Sequence, residues 1–241
     1  KEDDYLRYYR KLPKRHYESE PALQVSGEFL PFDQMGVLKG TLQVADLKAQ
    51  CRKYGVSITK YLAAALLWSV IRTETDGKNL KKPAALNLPV NLRSFFDSET
   101  LANFFAVVNI SWPKGRAPEN FREVLTNVSR QMDEQIVKER LEETISYNVS
   151  NEKKWYVRAI PLFIKHLAME LIFLRTSRAH TMTFSNIGPA KIREDLREDV
   201  EDFELLVGAS PKQRMKCGAV AYDGKLCLAF TSAMAENRLP E

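Results

Sequence analysis

Apolar and polar positions along this chain follow two periods. The helical period appears first at 46–54, where Leu47, Gln50, Cys51 and Tyr54 recur at steps of three and four. Asp46 is placed to cap that helix, and Gly55 to end it in a left-handed turn. Ser57 or Thr59 can cap the next helix. Its run from Tyr61 to Trp68 is apolar all round, which predicts burial on most sides. Strands follow at about 84–92 and 105–112, the second closed by Trp112 and Pro113. A long amphipathic helix then starts near Pro118, with Phe121, Leu125, Val128, Met132 and Ile136 as its stripe. Another helical region covers about 151–175, and Pro161 starts a segment of it or kinks it.

The last third alternates with the period of strands. One strand is expected at 180–184, broken by the turn-like residues Ser185 to Pro189, and another at 203–208. Runs at 216–222 and 225–231 flank Asp223 and Gly224, which predicts a tight hairpin. Upstream, 27–44 holds strand-like runs in which Gly36 and Gly40 allow bends or bulges. Residues 1–24 are charged and aromatic, carry Pro13 and Pro21, and read as a linker or docking arm. Helices and strands mix without a strict βαβ alternation. That favours an α+β fold, a layered mixed β-sheet with packed helices.

Composition narrows the classes. The length of 241 residues suits one large domain or two small ones. Lys and Arg are interleaved with Asp and Glu nearly everywhere, so the net charge of +5 is diluted. No basic stripe or nucleic-acid module is visible, which argues against nucleic acid as a partner. Cys51, Cys217 and Cys227 are odd in number and sit in apolar patterns. They read as reduced core thiols of a cytoplasmic protein, not as a disulfide framework. No signal peptide is visible. The longest apolar candidate, 58–71, is too short for a membrane span and carries Lys60. The sequence begins at Lys1 without methionine, which reads as an excised domain or a processed chain.

Polar groups at strand ends mark the candidate chemistry. The strand near 84–92 ends in Asn91 and Arg93, and Asn103 and Phe104 open the next one. A guanidinium and two carboxamides at such ends need partners. Arg93 calls for a carboxylate, either within this domain or beyond it. Asn186, just before Gly188 and Pro189, is either a turn residue or a site residue. Met182 and Phe184 read as core. The histidines are His16, His166 and His180, none adjacent to another and none followed by Asp four residues on. His166 lies beside Leu162, Phe163 and Leu167 and reads as a core or semi-exposed residue. His180 precedes a strand and reads as packing, and His16 in its basic run reads as solvated. Metal-ligand spacing is absent, and so is a G-x-S-x-G elbow.

Three segments together resemble a known superfamily. They are Gly55 to Leu66; Pro89 to Arg93 with Asn103 and Phe104; and Phe184 to Gly188 followed by Ala221 to Leu226. In this order they resemble the C-terminal half of the chloramphenicol-acetyltransferase-like superfamily. Alcohol acetyltransferases and the condensation domains of peptide synthetases belong to it. The likeness covers about 35–232.

The resemblance implies one lobe of the two-lobed CoA-dependent acyltransferase fold, at 25–241, with the N-terminal catalytic lobe absent. The family's His-His-x-x-x-Asp-Gly signature, whose second His is the general base, lies in that other lobe. This chain lacks it, so no catalytic residue is expected here and the chain alone should be inactive. The family also continues into a further helix beyond the equivalent of Thr231. The resemblance further implies that Arg93 pairs with the signature Asp and supports the catalytic loop. It places Ser185, Asn186 and Gly188 in the substrate channel where the lobes meet, with the Asn186 carboxamide able to orient an acceptor or steady an oxyanion. No permanently bound cofactor or metal is implied. Acyl-CoA or an acyl-carrier thioester is the co-substrate, and a small alcohol or amine is the acceptor. The missing lobe is the first partner, and an exposed inter-lobe face would permit self-association. The rival readings are a non-catalytic binding or scaffold module of the same fold, and a docking partner for a carrier protein.

Overall fold

The computed structural model describes residues 4–11, 20–31, 33–154, 157, 160–209 and 213–235. In chain order the elements are α1 (Asp4–Arg7), β1 (Gly36–Gln43), α2 (Val44–Tyr54), α3 (Ile58–Thr75), β2 (Ala84–Asn91) and β3 (Phe105–Trp112). They continue as α4 (Phe121–Gln135), α5 (Lys138–Glu152), α6 (Leu162–Ser177), β4 (Met182–Pro189), β5 (Met215–Tyr222) and β6 (Lys225–Ser232). The strands form one mixed sheet in the order β1-β6-β5-β4-β2-β3. Strands β2, β4 and β5 run parallel, and the other pairings are antiparallel.

Alternation in the strands gives the sheet two unlike faces. On β3, Ala106, Val108, Ile110 and Trp112 are buried while Phe105, Val107 and Asn109 are exposed. Their β2 partners Val90, Leu88, Leu86 and Ala84 lie on the same covered face. Helices α3 and α4 pack there. Helix α3 is the central one, because Leu62, Ala63, Ala64, Leu67, Val70 and Ile71 are all buried. Ser57 caps it by accepting a hydrogen bond from the Lys60 N–H at 3.3 Å.

Among the described residues, the segment 203–209 covers the other face over β5, β6 and β1. There the Thr231 hydroxyl donates to the Val207 carbonyl, Lys39 pairs with Glu204, and Phe203 meets Tyr222 edge-on. Gly218 is required by this crossing. A β-carbon on it would stand 2.0 Å from the Leu205 carbonyl oxygen.

Several expectations hold. The amphipathic helix, the two central strands and the hairpin stand close to where the pattern predicts them. Asp223 and Gly224 both take positive φ, as a tight hairpin of this twist demands. Gly55 ends α2 in the left-handed region. Cys51 and Cys217 are buried and Cys227 half-buried, all three unpaired.

Other expectations are corrected. Asp46 lies in the first turn of α2 and does not cap it; the helix begins at Val44, and Gln43 offers no side-chain cap. Gln50 and Tyr54 lie outside the core, so the buried stripe of α2 reduces to Leu47 and Cys51. Neither Gly36 nor Gly40 makes a bulge, since β1 pairs with β6 over eight unbroken positions. The turn-like residues from Ser185 onward do not break β4, which runs through them to Pro189. Segment 203–208 is extended but pairs with no strand; it crosses the sheet surface. The region expected at 151–175 is not one helix among the described residues: α5 ends at Glu152, and α6 starts at Leu162 directly after Pro161, which starts a segment as expected.

Candidate functional site

Strands β2 and β4 run parallel but pair only at Leu86–Met182 and Asn87–Thr183. Beyond those two positions they part, so their carboxyl ends flank a gap in the sheet. Asn91 comes five residues after Leu86 and Asn186 four after Met182, which brings both to the same edge. Carboxyl ends of neighbouring strands that separate are a recurrent place for ligands in open sheets.

Each end is held by its own hydrogen bonds. The Asn91 side chain accepts from the Arg93 backbone N–H at 3.1 Å. The Arg93 guanidinium donates to two carbonyls of the loop that leads to β3: Nη2 to Ala102 at 2.6 Å and to Thr100 at 3.0 Å, with Nε to Thr100 at 3.3 Å. Among the described residues no carboxylate pairs with it. That corrects the reading of Arg93 as an ion pair within this domain, because loop carbonyls take the place of the carboxylate. The side chain is exposed, and its Nη1 makes only a marginal 3.5 Å contact with Asn91. One edge of the fork is therefore open to an outside acceptor.

The loop that Arg93 clasps is braced by the N-terminal segment. Tyr5 packs edge-on against the buried ring of Phe104 at 5.1 Å, and its hydroxyl exchanges hydrogen bonds with the Phe105 backbone. Tyr8 stacks near Phe96 and donates to the Asp97 carbonyl. Asp4 accepts from the Ser98 hydroxyl. Sequence alone gives no sign that α1 serves this loop, because the pairing spans about ninety residues of chain.

At the other end, Asn186 is half-buried on the helix side of β4. Its carbonyl oxygen accepts from the Gly188 N–H at 2.9 Å, and its amide donates to the Thr59 hydroxyl at 3.0 Å. The β4–β5 register shifts between Asn186 and Pro189, and Gly188 takes φ +75°. So Asn186 makes the turn and also ties the strand end to the first turn of α3. One amide hydrogen and one carbonyl lone pair remain for an outside group. Ser185 is half-buried, on the opposite face to Asn186.

Other reactive groups stand apart from this edge. Cys217 lies directly opposite Phe184, but burial pushes its thiol up to about 12, which removes it as a nucleophile. His166 is exposed on α6, which removes the core half of the core or semi-exposed reading. His180 is half-buried before β4; burial lowers its basicity, and its Nδ1 is buried without a partner. His16 lies outside the described residues. Among the described residues no group of three His, Cys, Asp or Glu side chains gathers to hold a metal.

One constellation escaped the sequence. Asn109, Asn87, Thr183, Lys216 and Thr231 stand in register in one row across five strands, on the face away from the helices. Asn109, Asn87, Thr183 and Lys216 have no side-chain partner among the described residues, and burial lowers the basicity of Lys216. Lys216 is the lone charge in its strand, which was the available signal. Its row is set by strand register, which no local motif reveals.

No protein-family model matches the chain, and no curated protein matches it in sequence. Solved structures do match it in shape. The epimerization domain from the third module of tyrocidine synthetase B superposes with a TM-score of 0.50 at 11% identity, over 88% of this chain and 46% of that one. The nonribosomal peptide synthetase FmoA3 gives 0.54 at 14%, over 87% and 20%. The EpoB cyclization-docking bidomain from Sorangium cellulosum gives 0.50 at 12%, over 89% and 41%. The fold is thus that of one lobe of condensation-type domains, an α+β mixed sheet with packed helices. The chain spans less than half the length of these three solved chains.

Proposed function

We propose that this chain is the C-terminal lobe of an acyltransferase. The whole enzyme moves an acyl group from a CoA or carrier-protein thioester to a small alcohol or amine. A histidine of a second lobe takes the acceptor proton as general base. Arg93 uses the open edge of its guanidinium to grip the carboxylate beside that histidine. Asn186 uses its spare hydrogen-bonding capacity toward substrate in the channel between the lobes, with Ser185 and Gly188 shaping the wall. The observation that supports the reading is that Arg93, just after β2, and Asn186, near the end of β4, both follow the two positions at which these parallel strands pair.

A second reading has an observation of its own. Arg93 and Asn186 are already bonded inside this lobe, which suits a non-catalytic binding or scaffold module of the same fold. Arg93→Lys in a protein carrying both lobes separates the two. A point charge cannot hold two loop carbonyls and an outside carboxylate together, so the acyltransferase reading expects kcat to fall by about tenfold or more with little change in Tm. Unchanged turnover in that variant overturns the role of Arg93, and absence of turnover in the unmodified two-lobed protein favours the scaffold.

A further inference from the structure

Helix α6 is the chief exception to the burial pattern of this molecule. Its apolar residues are exposed from end to end: Leu162 69%, Phe163 75%, Leu167 62%, Met169 63%, Leu171 60% and Ile172 55%. Among its described residues only Ser177 is buried. The apolar positions also circle the helix. At 3.6 residues per turn, Leu162 and Phe173 lie on one side and Ile164 and Leu171 on the opposite one. A single docked protein face covers one side of a helix. Only a surrounding apolar medium meets all sides, and large exposed apolar surfaces of this kind mark interaction sites.

Charge identifies the medium. Between Lys153 and Arg178 the sequence has six basic residues (Lys153, Lys154, Arg158, Lys165, Arg175 and Arg178) against the single acid Glu170. That difference of five equals the net charge of the whole chain, so everything outside the segment is balanced. In the sequence most of the basic residues flank α6, and Trp155 and Tyr156 precede it, a composition suited to a lipid headgroup zone. Sixteen residues give a helix of roughly 24 Å, shorter than a hydrocarbon core of about 30 Å. No single helix of the described chain is long and apolar enough to cross a membrane.

We infer that α6 is a membrane-surface anchor that embeds in one leaflet of an anionic phospholipid bilayer. Its apolar girth sits below the headgroups. The stem of Arg175 reaches up to them, and Arg175 and Arg178 meet the lipid phosphates. The inference is independent of the acyltransferase reading, and its test reads binding, not activity.

The experiment is co-sedimentation of the full chain with phosphatidylcholine vesicles, with and without about a third phosphatidylglycerol. Wild type is expected to pellet with the anionic vesicles and to do so far less with the neutral ones. Two double variants accompany it, Leu167→Glu with Leu171→Glu, and Arg175→Glu with Arg178→Glu. Each should weaken partitioning at least about tenfold while leaving Tm unchanged, because these side chains lie outside the core. Failure to bind anionic vesicles overturns the inference, as does binding that neither variant alters. Dimerisation that the leucine variant abolishes, without vesicle binding, assigns α6 to a second copy and overturns it too. Loss of vesicle binding when the second lobe is present assigns α6 to that lobe and likewise overturns the anchor.

Discussion

Asn186 does two things at once, and its chemistry explains why an asparagine stands there. Its carbonyl oxygen closes the turn on Gly188, and its amide reaches Thr59. Aspartate could accept from Gly188 but offers no donor to Thr59 in its charged form, and alanine does neither. We predict that Asn186→Ala in a two-lobed protein lowers kcat by about tenfold or more, as loss of an oriented hydrogen-bond donor does. Its Tm should shift only slightly, since the site is rimmed by solvent. A fall in Tm without a fall in kcat would return Asn186 to the turn alone. His180 carries a different prediction. Its folded imidazole is less basic than the usual value because it is buried. In the unfolded chain it takes up a proton near its ordinary pKa of about 6.5, while the folded form resists until lower pH. Between those two values the unfolded state binds more protons, so stability must drop as pH falls through that window. Tm measured from pH 7 down to about 5 should decline, and His180→Gln should flatten the decline. Equal slopes would show that other groups set the acid sensitivity. Single residues of this kind are visible in the sequence as Asn, Arg and His at strand ends. Their partners are not, because Thr59 lies 127 positions from Asn186.

Elements whose own residues decide their form are legible in the sequence; those decided by distant packing are not. Helix α4 shows its apolar stripe at regular spacing, and the β5–β6 hairpin carries its turn residues locally. Ser, Asn, Gly and Pro favour turns, so the local composition of β4 predicts a stop at Ser185. The strand continues because β5 supplies a pairing edge beside it through Asn186, and the register shift absorbs the turn. Segment 203–208 has a strand's composition but pairs with no strand of the sheet; it crosses the sheet face instead and packs on Gly218. That crossing gives a test at the same scale. Gly218→Ala places a β-carbon within 2.0 Å of the Leu205 carbonyl oxygen unless the segment moves. We predict a loss of stability of about 1–3 kcal/mol, in the range of overpacking substitutions, with faster proteolytic cleavage between 203 and 209. An alanine variant as stable and as protease-resistant as the parent would mean the segment lies loosely on the sheet.

At the scale of the whole molecule, helices cover one side of the sheet, while much of the other side and one end stay open. The row from Asn109 to Thr183, the open edge of Arg93 and the ends of β2 and β4 lie on those uncovered parts. On the reading proposed above, these open groups face the second lobe. Transfer of an acyl group from a thioester to a hydroxyl or amine needs a base within hydrogen-bond reach of the acceptor proton. His180 is half-buried before the start of β4, at the far end of that strand from Asn186, and His166 is exposed on α6. The buried thiol of Cys217 is protonated at any physiological pH. We therefore predict that the purified chain, incubated with acetyl-CoA and alcohols or amines, releases no free thiol above the rate without protein. The measurement is a colorimetric thiol assay, and the controls are His166→Ala and His180→Ala. Turnover that survives in the parent and vanishes in either variant would place a working base in this lobe, and the active site would then have to be rebuilt around that histidine.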